Sequence, residues 1–305
     1  VAARTDPNPS APEPADDELY IGGQALIEGV MMRGPSRWAA AARTPEGAIV
    51  LTSGPVPTWA RVTDSVPVVR GAVAMVETIL VGLRSLRWSA AMSSGEDEQP
   101  ASSAALAATT LVTLLVFTAV FAVVPAAVAR AVPGDSRVLF GLVEGAARLA
   151  LFLGYVVAIG RSPTVRRTFQ YHGAEHMTIA AREHGDPLTV EAVSRHSTRH
   201  ARCGTDFLLL VVVVAIVVFT LVGDAPWPAL VASRVIGLPI VAGLAYEILR
   251  LAKRHPGSRL VQAVVSPGLA LQALTTRPPQ PDQLEVAIAA LEAVVDGERA
   301  ASPPP

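Results

Sequence analysis

Four long apolar runs in series constrain this chain more than any other feature. They extend from Ala104 to about Arg130, with Pro125 near the end, and from Val138 to about Ile159, carrying Glu144 and Arg148. The third, Phe207 to Gly223, is almost unbroken valine and leucine, and the fourth, between Trp227 and Leu251, contains Arg234 and Glu247. Each approaches the roughly 20 residues a helix needs to cross a bilayer, the third lying near the lower limit. Backbone in lipid must satisfy its own hydrogen bonds, so these runs are read as helices. A large soluble core does not normally produce four such runs one after another. Hydrophobic residues make up 51% of the chain and charged ones 17%, which agrees with much of the surface lying in lipid. The fold class that follows is mainly α, a polytopic membrane protein with about four transmembrane helices, whose first partner is the lipid bilayer.

The basic residues orient those spans. Between 161 and 205 stand seven arginines, at 161, 166, 167, 182, 195, 199 and 202. Arg84 and Arg87 precede the first run, and Arg250, Lys253 and Arg254 follow the last. The two other connections hold only Asp135 with Arg137, and Asp224. All positive clusters can therefore share one face, which the positive-inside rule makes cytoplasmic. Both termini and the 161–205 connection are expected inside, in a multi-pass protein of the cell membrane. A net charge of −1 gives no field that favours nucleic acid, so no nucleic-acid partner is expected. A single cysteine, Cys203, excludes an internal disulfide and suits a reducing compartment.

Four regions are expected. Residues 1–18 are acidic and rich in Pro and Ala, with no basic segment ahead of an apolar core, and read as a disordered tail without a signal peptide. Residues 19–103 read as a cytoplasmic α+β unit. Its short apolar stretches are broken by Gly and Pro, "PEG" at 45–47 forms a turn between two strands, and a helix over 68–92 has one strongly apolar side. That helix is expected in the membrane interface or against the bundle. Residues 104–251 form the four-span bundle with its 161–205 loop. Residues 252–305 form a cytoplasmic helical segment. Pro267-Gly268 divides an apolar stretch there into a short helix pair, and an amphipathic helix begins near 281. No internal repeat supports a transporter built from inverted halves.

The chemistry gathers in one place. Five of the six histidines fall between 172 and 200, and Cys203 follows. "HGAEH" places His172 and His176 four apart, so on a helix they share a face and can grip one ion. In H-x-x-E-H zinc enzymes the histidines hold the metal and the glutamate takes a proton from water, which makes Glu175 the catalytic candidate. His200, Cys203 and Glu247 are the alternatives for the third and fourth ligands, and zinc is the divalent ion expected. The bland counterpart is a chance match in a His- and Arg-rich loop that binds lipid headgroups. His184 and His196 read as solvated loop residues. Within the spans, Glu144 pairs with Arg148 one turn on along its helix or with Arg234 across the bundle; both read as structural ties. In "GGQALIEGVMMRGP" the glycines imply tight backbone turns, and Glu28 and Arg33 are polar candidates among apolar neighbours.

"GGQALIEGVMMRGP", "FQYHGAEH", "HARCGTDF" and "LQALTTRPPQPDQLEVAI" occur in that order and resemble the signature segments of the YqhQ-like family of bacterial membrane proteins. That family is catalogued as a domain of unknown function, with some members predicted to depend on metal. The resemblance spans about Tyr20 to Val295. It implies a bacterial inner-membrane protein of this topology and supplies no reaction. The matching positions are Gly22, Gly23, Gln24, Glu28, Gly29 and Arg33, then His172, Gly173, Glu175 and His176, then His200, Arg202, Cys203 and Gly204. Glu144, Arg234 and Glu247 also fit the pattern. Met177 replaces a usual lysine, Ala201 a frequent proline and Asp206 a small hydroxyl residue, which leaves the candidate ligands intact. Two functions follow as expectations. One is a metal-dependent membrane hydrolase with its site at the cytoplasmic surface. The other is a non-enzymatic scaffold or assembly factor with a protein partner or a second copy, its His/Cys cluster structural.

Overall fold

The computed structural model describes residues 20–94, 103–134, 136–200, 204–223, 225–254 and 258–301. The 1–18 tail and Cys203 lie outside them. The fold is mainly helical, with one four-stranded antiparallel sheet near the N-terminus.

Strands β1 (Gly22–Leu26), β2 (Gly29–Arg33), β3 (Arg37–Arg43) and β4 (Ile49–Pro55) form a meander in sequence order. The turn expected at 45–47 joins β3 to β4, and the small β-containing unit is a four-stranded sheet. Alternation along the strands divides their side chains between two cores. Val30, Met32, Ala39 and Ala41 face one way, and Met31, Trp38 and Ala40 the other. The alanine run of β3 keeps both faces thin enough for helices to lie close. On the first face pack α5 (Pro163–Glu183) and α10 (Pro281–Ala301), with short α6 (Val190–Val193) beside them. On the second lies α2 (Val69–Ser93), which follows the single turn α1 (Trp59–Val62). The α/β unit is thus assembled from three separated stretches of chain, including most of what reads as a loop between 161 and 205.

The remaining helices form the bundle: α3 (Ser103–Ala131), α4 (Arg137–Ile159), α7 (Gly204–Val222), α8 (Trp227–Arg254) and α9 (Arg259–Thr275). Three of them contain stretches long and apolar enough to cross a membrane, Ala108–Ala131, Arg137–Ile159 and Trp227–Ala252, while the apolar part of α7, Phe207–Val222, is shorter. One expectation fails here. Pro267 does not split its segment; α9 runs through it as one helix packed on α7 and α4. Proline removes one backbone donor, and packing against neighbouring helices tolerates that loss.

Within the bundle both readings of Glu144 are realised together. Arg234 donates from Nε and Nη2 to its two carboxylate oxygens, at 2.9 and 2.6 Å, and Arg148 donates to Oε1 at 2.6 Å. Both guanidiniums lie against the ring of Phe219 on α7.

Candidate functional site

Helix α5 starts with Pro163 at its first turn, a position that needs no backbone donor, and runs on for 21 residues. Its helical pitch puts Tyr171, Ala174 and Met177 into the core against the sheet and turns His172 and His176 toward other segments. The His172 Nδ1 lies 2.9 Å from the carbonyl of Thr275 at the end of α9. The His176 Nδ1 lies 2.7 Å from the carbonyl of Thr198, in the stretch that leads to α7. A carbonyl only accepts, so both Nδ1 atoms carry the hydrogen and both Nε2 atoms keep their lone pair. That is the tautomer a metal ligand needs, with the far nitrogen fixed by a backbone acceptor. The two ring centroids are 4.4 Å apart. His176 is fully buried, and its Nε2 has no hydrogen-bond partner among the described residues.

Two connections close around the pair. The Arg277 amide donates to the Phe169 carbonyl at 2.9 Å, so the link from α9 to α10 crosses α5 directly. A Cβ on Gly173 would stand 2.2 Å from the Arg277 carbonyl, which explains the glycine there. Gln272 of α9 accepts from the His200 amide and donates to its carbonyl, at 2.9 and 2.8 Å. The His200 ring centroid lies 6.0 Å from that of His176, and its Nε2 is 2.9 Å from Glu183. Among the described residues no three His, Cys, Asp or Glu side chains surround a common point closely enough to hold an ion. The His172 and His176 rings lie side by side there, and His200 is held apart from them by Glu183.

Glu175 faces another way. Its carboxyl accepts the backbone N–H of Gly23 on β1, and a Cβ at Gly23 would stand 2.7 Å from the Glu175 side chain. The first motif glycine of this contact serves close approach, not a turn. The second carboxyl oxygen, Oε2, is buried without a partner among the described residues. Burial pushes the Glu175 pKa up to about 8, against the opposing pull of the Gly23 N–H. Burial likewise drives His176 down to about 3, helped by the His172 and His200 rings, and lowers His172. At neutral pH the imidazoles are neutral and Glu175 carries its proton.

The other sequence candidates lie elsewhere. Glu247, expected at the depth of the histidines, instead binds Arg70 of α2, which donates from Nε at 2.7 Å. Depth along a helix does not fix the side it faces, and here it faces α2. Glu28 occupies the two-residue β1–β2 turn with a left-handed φ of 49°. It is held there by a bidentate pair with Arg167 and by the Tyr171 hydroxyl at 3.2 Å. Arg33 reaches Thr78 at 2.8 Å and the buried Glu77 at 3.5 Å. His196 is half-buried and 2.9 Å from Asp186, so it is less solvated than its loop position implies, while His184 is exposed. Glu183 and Gln272 escaped the sequence reading. Glu183 was findable: it stands seven residues past His176, two turns along the same face of α5.

The family described as "Protein of unknown function (DUF1385)" matches residues 66–297. The uncharacterized protein YqhQ of Bacillus subtilis (strain 168) is 34% identical over 291 residues, covering 88% of this chain and 89% of that protein. No solved structure matches the chain.

Proposed function

The chain belongs to the DUF1385 family of YqhQ-like proteins, and from that premise we propose a membrane-embedded protein that binds a divalent metal ion, zinc first, where its α/β unit meets its bundle. Four helices cross the bilayer, α7 being the short one, and the α/β unit and both termini are cytoplasmic. The ligands are the Nε2 atoms of His172 and His176, completed by His200 or Cys203. The observation that carries this reading is the His176 ring, anchored through Nδ1 and sealed with its other nitrogen unpartnered. An isolated buried acceptor costs on the order of 1–3 kcal/mol, and an ion on Nε2 offsets that cost.

A bound zinc ion supplies Lewis-acid activation of water, and hydrolysis is the chemistry this donor set permits. The residues of the chain then fix the two tautomers, exclude bulk solvent from His176 and keep a proton on Glu175. A structural site is the second reading. It is favoured by the way the pair ties α5 to the end of α9 and to the approach of α7. Metal analysis of protein purified in detergent tests the site. We expect about one zinc per chain, lost in the His172→Ala/His176→Ala variant; a metal-free parent protein with unchanged variant behaviour overturns it. Chelation separates the two uses, since a structural ion takes the melting temperature down with it and a catalytic one leaves the fold standing.

A further inference from the structure

Helix α2 carries its hydrophobic side on the outside. Apart from Val81, what it buries is small or polar: Gly71 against α8, and Glu77, Gly82, Ser85 and Ser89, with Glu77 only 2% exposed. Small and polar residues on that side let it lie close: a Cβ at Gly82 would meet the Gln24 amide at 2.3 Å. The opposite side presents Val69, Val76, Ile79, Leu80 and Leu83, with Leu80 46% exposed. At 3.6 residues per turn these five share one stripe, roughly 20 Å long at 1.5 Å per residue. A surface helix in water has the reverse arrangement.

The position of α2 tells what covers the stripe. Gly71 approaches Tyr246 and Gly243 of α8 so closely that a Cβ on it would stand 2.7 Å from the Tyr246 side chain. A Cβ on Gly243 would stand 2.3 Å from the Val68 carbonyl. Such small-residue crossings bring helix backbones together in bilayers. Gly243 lies within the Trp227–Ala252 stretch, about 13 Å from its end at 1.5 Å per residue. The start of α2 is therefore level with the apolar stretch of α8, where Ile248 and Leu251 are exposed apolar residues as well. Trp59 and Val62 just before it are exposed too. Exposed Arg87 follows the stripe, where a cation reaches phosphate headgroups.

We infer that the first half of α2 is a membrane-inserted element that lies against lipid along its Val69–Leu83 stripe and emerges at Arg87, so that the sheet of the α/β unit is held directly at the bilayer surface. The inference rests on the reading that the bundle crosses a membrane. Spin labelling of the full chain in vesicles of phosphatidylcholine and phosphatidylglycerol tests both separately. Nitroxides are placed by Val76→Cys, Leu80→Cys, Leu83→Cys and Arg87→Cys in a Cys203→Ser background, with Leu142→Cys on α4 as the span reference. If that background does not fold, Cys203 is retained and the spectrum of the parent chain labelled there is subtracted. The expected ratio of accessibility to oxygen over a water-soluble nickel chelate is several-fold higher at 76, 80 and 83 than at 87, and similar to that at 142. Nickel access at 80 and 83 equal to that at 87, with 142 still lipid-exposed, overturns the α2 inference alone. Nickel access at 142 as well overturns the membrane reading. Exclusion of both reagents at 80, or dipolar broadening between labels, assigns the stripe to a protein neighbour or a second copy and overturns lipid contact.

Discussion

Glu175 and His176, adjacent on α5, place opposite demands on pH. In the metal-free protein the ordinary Glu175 value near 4.5 rises to about 8. The unfolded chain loses that proton first, so the fold loses stability as pH climbs from 4.5 to 8, by roughly 3 kcal/mol at pH 7 as an upper bound. His176 works at the other end. Its folded value of about 3 lies below the ordinary 6.5, so its contribution is present above 6.5 and lost as pH falls toward 3. Chelator-treated protein should therefore melt highest between about pH 4.5 and 6.5. Glu175→Gln should raise the melting temperature at pH 8 and do much less at pH 5; equal effects at the two pH values would sink this account. What the sequence revealed at this scale was periodicity. Spacing alone placed His172 and His176 on one face, because a helix converts four residues into one turn. It could not find the Thr198 and Thr275 carbonyls, since any residue supplies one. Nor could it exclude Glu247, whose partner Arg70 lies 177 positions away.

Elements are joined here through single polar side chains. Glu298, near the end of α10, accepts from the Ser36 and Arg37 amides at 2.7 Å each and from the Ser36 hydroxyl at 2.5 Å. It thereby closes the β2–β3 turn against the last helix. Glu298→Ala leaves two turn amides without their acceptor and should lower stability by about 2–4 kcal/mol, given roughly 1–3 kcal/mol for each buried group stranded. Thermal melting in detergent measures it. A Glu298→Gln chain, which keeps one strong acceptor oxygen, should fall between the two; a silent Ala substitution would contradict the tie. The amphipathic pattern of α10 was legible, and its destination was not, because any sheet face of matching apolar width accepts such a helix. The polar 161–205 segment reads as a loop since its buried positions mix Tyr171, Met177, Ile179 and Val193 with glycine, alanine, threonine, glutamate and histidine, so no continuous apolar run marks it. In α9 the opposite happens: Pro267 signals a break, and packing on α7 overrides it.

Across the whole molecule, the proposed orientation rests on charge. Glu144 holds two guanidiniums from different helices in the bundle, so Glu144→Gln leaves Arg148 and Arg234 facing each other without an anion. Breaking such a buried pair costs about 3–5 kcal/mol, and the variant should melt well below the parent while Glu144→Asp recovers part of the loss. That network ties helices without orienting them, since it is buried inside the bundle. In the proposed topology the arginines of the α/β unit set the orientation. Arg166, Arg167, Arg182, Arg195 and Arg199 are carried on or beside α5 and α6, at the end of the bundle opposite the short 132–136 and 223–226 connections. Moving such a folded, basic unit across a membrane is far less favourable than leaving it on the side of synthesis. An exported phosphatase fused after Pro133 should therefore be active and one fused after Pro281 inactive, with a cytoplasm-dependent fluorescent reporter giving the mirror result. The four-span reading needs α7 to cross despite its shorter apolar stretch, and these two fusions decide that point. If α7 only dips into the bilayer, three crossings leave the 161–205 connection and the residues after α8 on opposite sides. The packing of α10 on α5 and on the same sheet face supports the four-span proposal over that outcome. Activity of the phosphatase after Pro281 would overturn the proposed count of four spans.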